Sequence, residues 1–121
     1  MNTTTFTYRR SEDGFLEILS NDDVVWRGQP DGHPVAKVMP LDEGCVVLRH
    51  QGDAENTLSD LVRVNSEGKI VWRAQLPEAD GADGYVTAWL TKGTPHAISG
   101  SCWYVTLDAG TGAIKTATFT K

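Results

Sequence analysis

The feature that most constrains this chain is an internal repeat of strand–turn–strand units. Residues 15–29 align without a gap on residues 61–75, an offset of 46, and Trp26 and Trp72 occupy the same place in the two copies. A third copy, residues 103–116, has one extra residue in its turn and carries Thr116 in place of the tryptophan. Each copy predicts a β-hairpin. A strand-rich period of about 40 to 50 residues is typical of propeller blades, in which a four-stranded sheet recurs.

Short runs of alternating apolar and polar residues continue between the hairpins, and Gly, Asp, Asn and Pro separate them. Strands are predicted near residues 4–10, 14–20, 23–28, 34–39, 44–50, 60–65, 69–76, 85–92, 96–101, 103–107 and 113–120. No apolar spacing of three to four residues persists for the length of a helix. The predicted fold class is therefore all-β, an antiparallel meander of about ten to twelve short strands in propeller-blade-like repeats.

Alternation also assigns side chains to faces. It places Tyr85 and Trp89 on one face of their strand and Ala88 on the other, and it predicts a bend within a strand at residues 99–102. The tryptophans are predicted to fill the interior rather than to bind a ligand.

The length of 121 residues and the hydrophobic fraction of 40% predict one domain, residues 1–121, with repeats at roughly 1–30, 31–77 and 78–121. Propellers close with about four to eight blades, so three repeats are too few for a closed ring. Two alternatives remain. An open monomer, folded as a curved stack of sheets or a compact sandwich, is favoured because the acidic turns leave no apolar face for a second copy. The other alternative is the association of two chains to complete a larger ring.

The turn Asp108–Gly112 follows an alternating strand and reads aspartate, alanine, glycine, threonine, glycine. It resembles the turn of quinoprotein-like (PQQ-type) β-propeller repeats, and Val71–Trp72 resembles the tryptophan that ends such a repeat. The chain is also similar to small stand-alone bacterial proteins that join a Gly-Lys-Ile-Val-Trp segment to an Asp-x-x-Thr-Gly segment and end in Phe-Thr-Lys. The resemblance implies a propeller-like architecture and structural roles in turns and packing for Trp26, Trp72, Asp108, Thr111 and Gly112. It does not imply the quinone cofactor, because that site needs a full ring.

No arrangement of residues predicts catalysis or metal binding. His33, His50 and His96 are far apart and lack the spacing of metal ligands. A nucleophilic pairing of Cys102 with His96 or His50 leaves a small hydrolase as the least favoured alternative. We therefore predict a protein that is not an enzyme, with no catalytic residue, no metal and no cofactor.

The net charge of −5 and the pI near 5.0 disfavour nucleic acid and anionic lipid as partners and favour a basic protein. The N-terminal residues lack the pattern of a signal peptide, and no apolar stretch approaches the roughly 20 residues that span a bilayer. A cytoplasmic location without membrane contact is expected, and Cys45 and Cys102 are expected to be buried free thiols.

Acidic residues, including Asp42 and Glu43, are concentrated in the predicted connections. Those predicted to bind a partner are Asp22, Asp23, Glu78, Asp80 and Asp83. If several connections meet at one end of the sheets, they form a negative rim that attracts a basic protein. The predicted function is a non-catalytic protein-interaction module, most concretely an immunity protein that neutralises a basic, nuclease-like toxin. The alternative is a structural or assembly subunit that oligomerises through its repeats.

Overall fold

The computed structural model of the chain describes residues 5–50, 59–77 and 84–120. Within these residues the strands are β1 (Phe6–Arg10), β2 (Leu16–Ser20), β3 (Asp23–Gly28), β4 (Val35–Pro40), β5 (Cys45–His50), β6 (Ser59–Val64), β7 (Ile70–Arg73), β8 (Tyr85–Thr91), β9 (Thr94–Ser99), β10 (Trp103–Leu107) and β11 (Ile114–Phe119). The same residues contain no α-helix, and their one 3-10 turn lies at Pro30–Gly32. None of them forms a helix of the length and apolarity needed to cross a membrane. The all-β prediction is confirmed.

The strands form three meanders, in which neighbours in sequence pair antiparallel. Strands β1–β3 form a separate three-stranded sheet, and the other eight form one sheet, which we divide into the second sheet, β4–β7, and the third sheet, β8–β11. A single residue pair, Ser59 with Tyr85, joins the second and third sheets at the start of β6 and β8. In the described part of the chain the sheets stack without closing into a ring, as the count of repeats predicted.

The second sheet is buried on both faces, because successive residues of its strands point to opposite sides. The side chains that pack against the first sheet include Cys45, Val47, Val62 and Val64, which meet Tyr8, Leu16 and Ile18. Those that pack against the third sheet include Val46, Leu48, Leu61 and Trp72, which meet Ala97, Val105 and Leu107. The core therefore consists of two layers, one on each side of the second sheet.

The three aligned hairpins share one irregularity of pairing. Each ladder skips a single residue on its second strand, and the skipped residues are Val25, Val71 and Lys115. These residues occupy the same position in the three repeats. A skipped residue is a β-bulge, which bends the strand and re-aims the side chain beside it. The bulge therefore recurs at the same place in each repeat, although the residue opposite the tryptophan shifts by one position, from Ile18 in the first hairpin to Arg63 in the second.

The bulges direct each tryptophan onto the next hairpin. The ring of Trp26 lies on the backbone of Gly68, and the ring of Trp72 lies on Gly112. Trp72 is only 8% exposed, and its Nε1 donates a hydrogen bond to the carbonyl of Ala109 at 2.9 Å. Trp26 is half-buried, against the expectation of a dry interior for both rings. The Ala109 carbonyl that accepts the hydrogen bond of Trp72 belongs to the third turn, which is one residue longer than the second.

Two assignments from alternation are wrong. A bulge between Tyr85 and Thr87 turns Tyr85 to the buried face shared with Ala88, while Trp89 lies on the opposite face. Residues 99–102 form the turn of a hairpin rather than a bend within a strand, because β9 ends at Ser99 and Cys102 has a φ of 73°.

Candidate functional site

Hairpin turns of all three sheets lie at one end of the stack, which we call the turn end. They are residues 21–22, 42–44, 65–69, 92–93 and 108–113. A groove of about 790 Å³ separates the second sheet from the third and is lined by Asp42, Glu43, Lys92 and Ala109, among others. A second groove, of about 620 Å³, lies between the first and second sheets and is lined by Phe6, Tyr8, Asp42 and Glu43, among others. Asp42 and Glu43 therefore border both grooves.

Arg63 links a turn of the second sheet to a turn of the third sheet at the turn end. Its Nη1 donates a hydrogen bond to the carbonyl of Ala109 at 2.6 Å, and its Nη2 donates one to the carbonyl of Glu43 at 2.7 Å. The guanidinium donates these hydrogen bonds to backbone carbonyls rather than to the carboxylates of Asp42 and Glu43. Both of these residues are exposed. Arg63 thus holds the two turns together through their backbone, and its hydrogen bonds leave the carboxylates beside it available at the surface.

The turn end carries more carboxylates than cations. Its acidic residues are Asp22, Asp23, Asp42, Glu43, Glu67 and Asp108, and its basic residues among those described are Arg63, Lys69 and Lys92. Glu67 lies 3.6 Å from Lys69, a contact between two exposed side chains. Several like charges on a rigid surface sum to a negative potential that extends over about a Debye length, roughly 8 to 10 Å at physiological salt.

The predicted partner-binding residues divide into two groups. Asp22 lies in the β2–β3 turn and Asp23 is the first residue of β3, and both are exposed at the turn end. Glu78, Asp80 and Asp83 lie outside the described residues. Sequence reasoning counted Asp42 and Glu43 among the acidic connections but not among the site residues. The sequence signal that could have found them is the position of their turn, which leads directly into β5, the strand that pairs with the β6–β7 hairpin.

The predicted structural residues of the third turn act on its own backbone. The Oδ1 of Asp108 accepts hydrogen bonds from the N–H groups of Gly110, at 2.8 Å, and Thr111, at 3.1 Å. The Oγ1 of Thr111 accepts one from the N–H of Ala113 at 3.3 Å. Gly112 has a φ of 78°, in the left-handed region that favours glycine. The turn therefore uses these residues to hold its shape, so Asp108 contributes charge but not a free ligand.

The outer face of the first sheet is covered by ion pairs. Arg9 Nε lies 2.7 Å from Glu17 Oε1, Arg27 Nε lies 3.2 Å from Glu17 Oε2, and Arg27 Nη2 lies 2.8 Å from Asp13 Oδ2. Hydrogen bonds from Ser11 and Arg27 hold the pKa of Asp13 below its usual value. A hydrogen bond from Arg9 does the same for the pKa of Glu17. The outer face of the first sheet is therefore charged.

The outer face of the third sheet differs in character. Trp89 and His96 stack with ring centroids 5.5 Å apart and planes 11° apart, and the Nδ1 of His96 lies 2.6 Å from the hydroxyl of Tyr104. Trp89 therefore lies on a partly exposed face, and its assignment to the core is wrong. The remaining side chains of this face, as far as the structure describes it, are mostly threonines, including Thr87, Thr106, Thr116 and Thr118. This face has aromatic and hydroxyl groups in place of the ion pairs of the first sheet.

The groups considered for nucleophilic or metal chemistry are dispersed in the described chain. Cys45 is fully buried, and burial raises the pKa of its thiol to about 12. Cys102 is also a free thiol, only partly buried, and the ring partners of His96 are Trp89 and Tyr104. His33 is half-buried in the connection before β4, and the side chain of His50 lies outside the described residues. Among described residues no cluster of three or more His, Cys, Asp or Glu is placed to hold a metal ion.

The chain resembles known proteins in family and in fold. A family model described as a domain of unknown function, DUF7957, matches residues 30–119. No curated protein sequence matches the chain significantly. Among solved structures, BamB from Moraxella catarrhalis, a PQQ-like β-propeller protein, is similar with a TM-score of 0.65 and 15% identity. The match covers 98% of this chain and 34% of BamB, so the chain spans about a third of that propeller. The fold is therefore β-propeller-like.

Proposed function

This chain belongs to the DUF7957 family of domains of unknown function, and we propose that it is a non-catalytic protein-interaction module. The observation that carries the proposal is the turn end, where turns from three stacked sheets bring exposed carboxylates to one surface. Binding residues are commonly found on loops that a rigid scaffold holds in place. Here the scaffold is the doubly buried second sheet, and Arg63 ties its turns to those of the third.

The partner in this proposal is a basic protein. The exposed carboxylates of Asp42 and Glu43 border both grooves, and Asp22 adds charge from the first sheet. A net charge of −5 attracts a cationic partner over a distance and accelerates encounter, while the grooves receive its side chains. Affinity then depends strongly on ionic strength, because the attraction between exposed charges is screened by salt.

The specific form of the proposal is an immunity protein that neutralises a basic, nuclease-like toxin in the cytoplasm. A nuclease presents cations to the phosphate backbone of its substrate. A rigid row of carboxylates offers those cations an alternative set of negative charges, so the turn end competes directly with nucleic acid. In this role the chain needs no catalytic group of its own.

A capture experiment tests the proposal. The immobilised chain is incubated with clarified lysate of its native host, and retained proteins are identified by mass spectrometry. The variant Asp42→Lys reverses one charge at the turn end. The matched control, Glu12→Lys, makes the same change in charge at an exposed position of the β1–β2 turn, at the opposite end of the first sheet.

The proposal expects a basic protein that is retained by the wild type and by Glu12→Lys, is lost with Asp42→Lys, and elutes at raised salt. An immunity role further expects that the wild-type chain blocks nucleic-acid cleavage by the captured protein at a one-to-one ratio. Equal retention by both variants would exclude the turn end. Retention of no basic protein would exclude a basic partner.

A second candidate function is an assembly subunit that associates through its repeats. The observation that favours it is the outer face of the third sheet, where the described residues carry the Trp89, His96 and Tyr104 cluster without ion pairs. Light scattering on the concentrated protein tests this function. A multimer that Trp89→Arg converts to a monomer supports it, and a strictly monomeric wild type eliminates it.

A further inference from the structure

In the part of the chain that the structure describes, the first sheet has one strand fewer than the other two. The aligned hairpins make β2–β3 the counterpart of β6–β7 and β10–β11, so β1 corresponds to β5 and β9. Strands β5 and β9 each pair on both edges, with β4 and β8 on the edge away from the hairpin. Strand β1 pairs with β2, and within residues 5–50, 59–77 and 84–120 no strand pairs with its other edge. In these residues the first sheet therefore has no counterpart of β4 and β8.

The backbone of β1 is oriented to accept that strand. The N–H of Ser11 donates to the carbonyl of Phe15 at 2.8 Å and sets the phase of the ladder between β1 and β2. Because an antiparallel ladder alternates, Thr7 and Arg9 bond toward β2. The N–H and C=O groups of Phe6, Tyr8 and Arg10 then point toward the open edge. An edge of this kind is a template for another strand.

The position of the edge defines the chemistry of its occupant. Strand β1 begins at the turn end and packs beside β4, and the side chain of Tyr8 is buried against the second sheet. An antiparallel strand on this edge would leave it at the turn end, where Phe6, Asp42 and Glu43 line one groove. Its side chain opposite Tyr8 would face the core layer, and the residue after the strand would meet the two carboxylates.

We propose that an extended segment of the partner protein completes the first sheet by antiparallel addition to β1. The segment has an apolar residue opposite Tyr8, polar residues at the alternate positions that face solvent, and a lysine or arginine after the strand, beside Asp42 and Glu43. This inference rests on the proposed function and specifies its partner as a strand donor. Backbone hydrogen bonds supply affinity, and the core-facing and basic positions supply specificity.

The chain contains a segment that shares the core-facing and basic positions of this description, while its outer face carries Trp89 among threonines. Strand β8, Tyr85–Thr91, occupies the equivalent position in the third sheet and is followed by Lys92. The peptide of residues 85–92 therefore serves as the probe. Fused through a short Gly-Ser linker to the N-terminus of the full chain, it can fold back on β1 as β4 does on β5, and the linker gives it an effective concentration in about the millimolar range. The control fusion carries Ala88→Pro and Leu90→Pro in the added copy, because proline cannot sustain the ladder.

The first measurement is made on the fused proteins alone. The added strand is expected to raise the melting temperature by several degrees over the control fusion and to slow hydrogen exchange at the amide of Tyr8 by about tenfold or more. The amide of Arg9, which already bonds toward β2, is the internal reference. Equal melting temperatures and equal exchange at Tyr8 in the two fusions would overturn the inference, whatever the partner is.

The second measurement separates the inference from the proposed function. Capture of the basic partner is compared between the wild type, the strand fusion and the proline control. Loss of capture in the strand fusion alone supports strand donation by the partner. Equal capture by all three overturns strand donation and leaves the turn end as the binding surface. Capture by none of them overturns the proposed function and the inference together.

Discussion

Replacement of Gly112 by alanine tests the contact that links one repeat to the next. A Cβ at this position would lie 2.5 Å from Cε3 of Trp72 and 3.1 Å from the carbonyl oxygen of Arg73. The indole cannot move away easily, because it is 8% exposed and its Nε1 is bound to the carbonyl of Ala109. Gly112→Ala therefore forces the second and third sheets apart or displaces the ring.

The magnitude follows from two separable terms. Left-handed backbone at a non-glycine residue costs about 1 to 2 kcal/mol, and overpacking a filled site costs a further 1 to 3 kcal/mol, roughly. Gly93 isolates the first term, because its φ of 78° equals that of Gly112 and an added Cβ meets nothing within 4 Å. We expect Gly112→Ala to lower the free energy of unfolding by about 2 to 5 kcal/mol, and Gly93→Ala by about 1 to 2 kcal/mol.

Urea unfolding followed by tryptophan fluorescence measures both variants under identical conditions. The difference between them, about 1 to 3 kcal/mol, corresponds to a further decrease in melting temperature of several degrees for a domain of this size. Equal free energies for Gly112→Ala and Gly93→Ala would refute a close contact between Trp72 and the third turn. The stacking of equivalent hairpins would then lose its main support.

Two further predictions concern buried polar groups. Arg49 is fully buried, and its Nε donates a hydrogen bond to Asp60 at 2.8 Å. Asp60→Asn leaves the guanidinium charge uncompensated and should lower the free energy of unfolding in urea by about 3 kcal/mol. An unchanged free energy would mean that the ion pair does not stabilise the fold. The Cys45 thiol, with its pKa raised by burial from 9.0 to about 12, should resist iodoacetamide at pH 8 until the chain unfolds, whereas the partly buried Cys102 reacts first. Because the pKa of Cys45 is higher in the folded than in the unfolded chain, the free energy of unfolding is unaffected by this thiol below pH 9 and falls as the pH rises from 9 toward 12. Cys45→Ser should remove this fall from the pH profile. Rapid labelling of Cys45 in the folded protein would contradict the prediction.

Local alternation predicted much of the fold. Every strand of the described structure overlaps a predicted one, and the offset of 46 matches bulges at Val25 and Val71. Alternation failed where a bulge changes the phase, as at Tyr85, and at residues 99–102, where the left-handed residue of the turn is Cys102 rather than a glycine. A bulge is set by packing across sheets, which one strand's sequence does not contain.

The candidate site was less accessible from the sequence. Composition identified acidic connections, and topology was needed to bring Asp22, Asp42 and Glu43 to the same end. The stacked Trp89 and His96 lie on neighbouring strands, and their pairing depends on the register of β8 and β9. The open edge of β1, as the described residues show it, is recognised only when the hairpins are aligned and their neighbouring strands are counted. Each of these features depends on pairing between segments distant in sequence.

A hydrogen-exchange footprint of the captured partner on the full chain tests the central claim most directly, because it reports which surface the partner covers. Binding at the turn end with strand addition to β1 predicts slower exchange at the amides of Phe6, Tyr8 and Arg10 and in residues 41–44, with β8 and β9 unchanged. Protection confined to Tyr85–Ser99, with the amides of Phe6–Arg10 exchanging as in the free chain, would contradict the account and assign binding to the outer face of the third sheet.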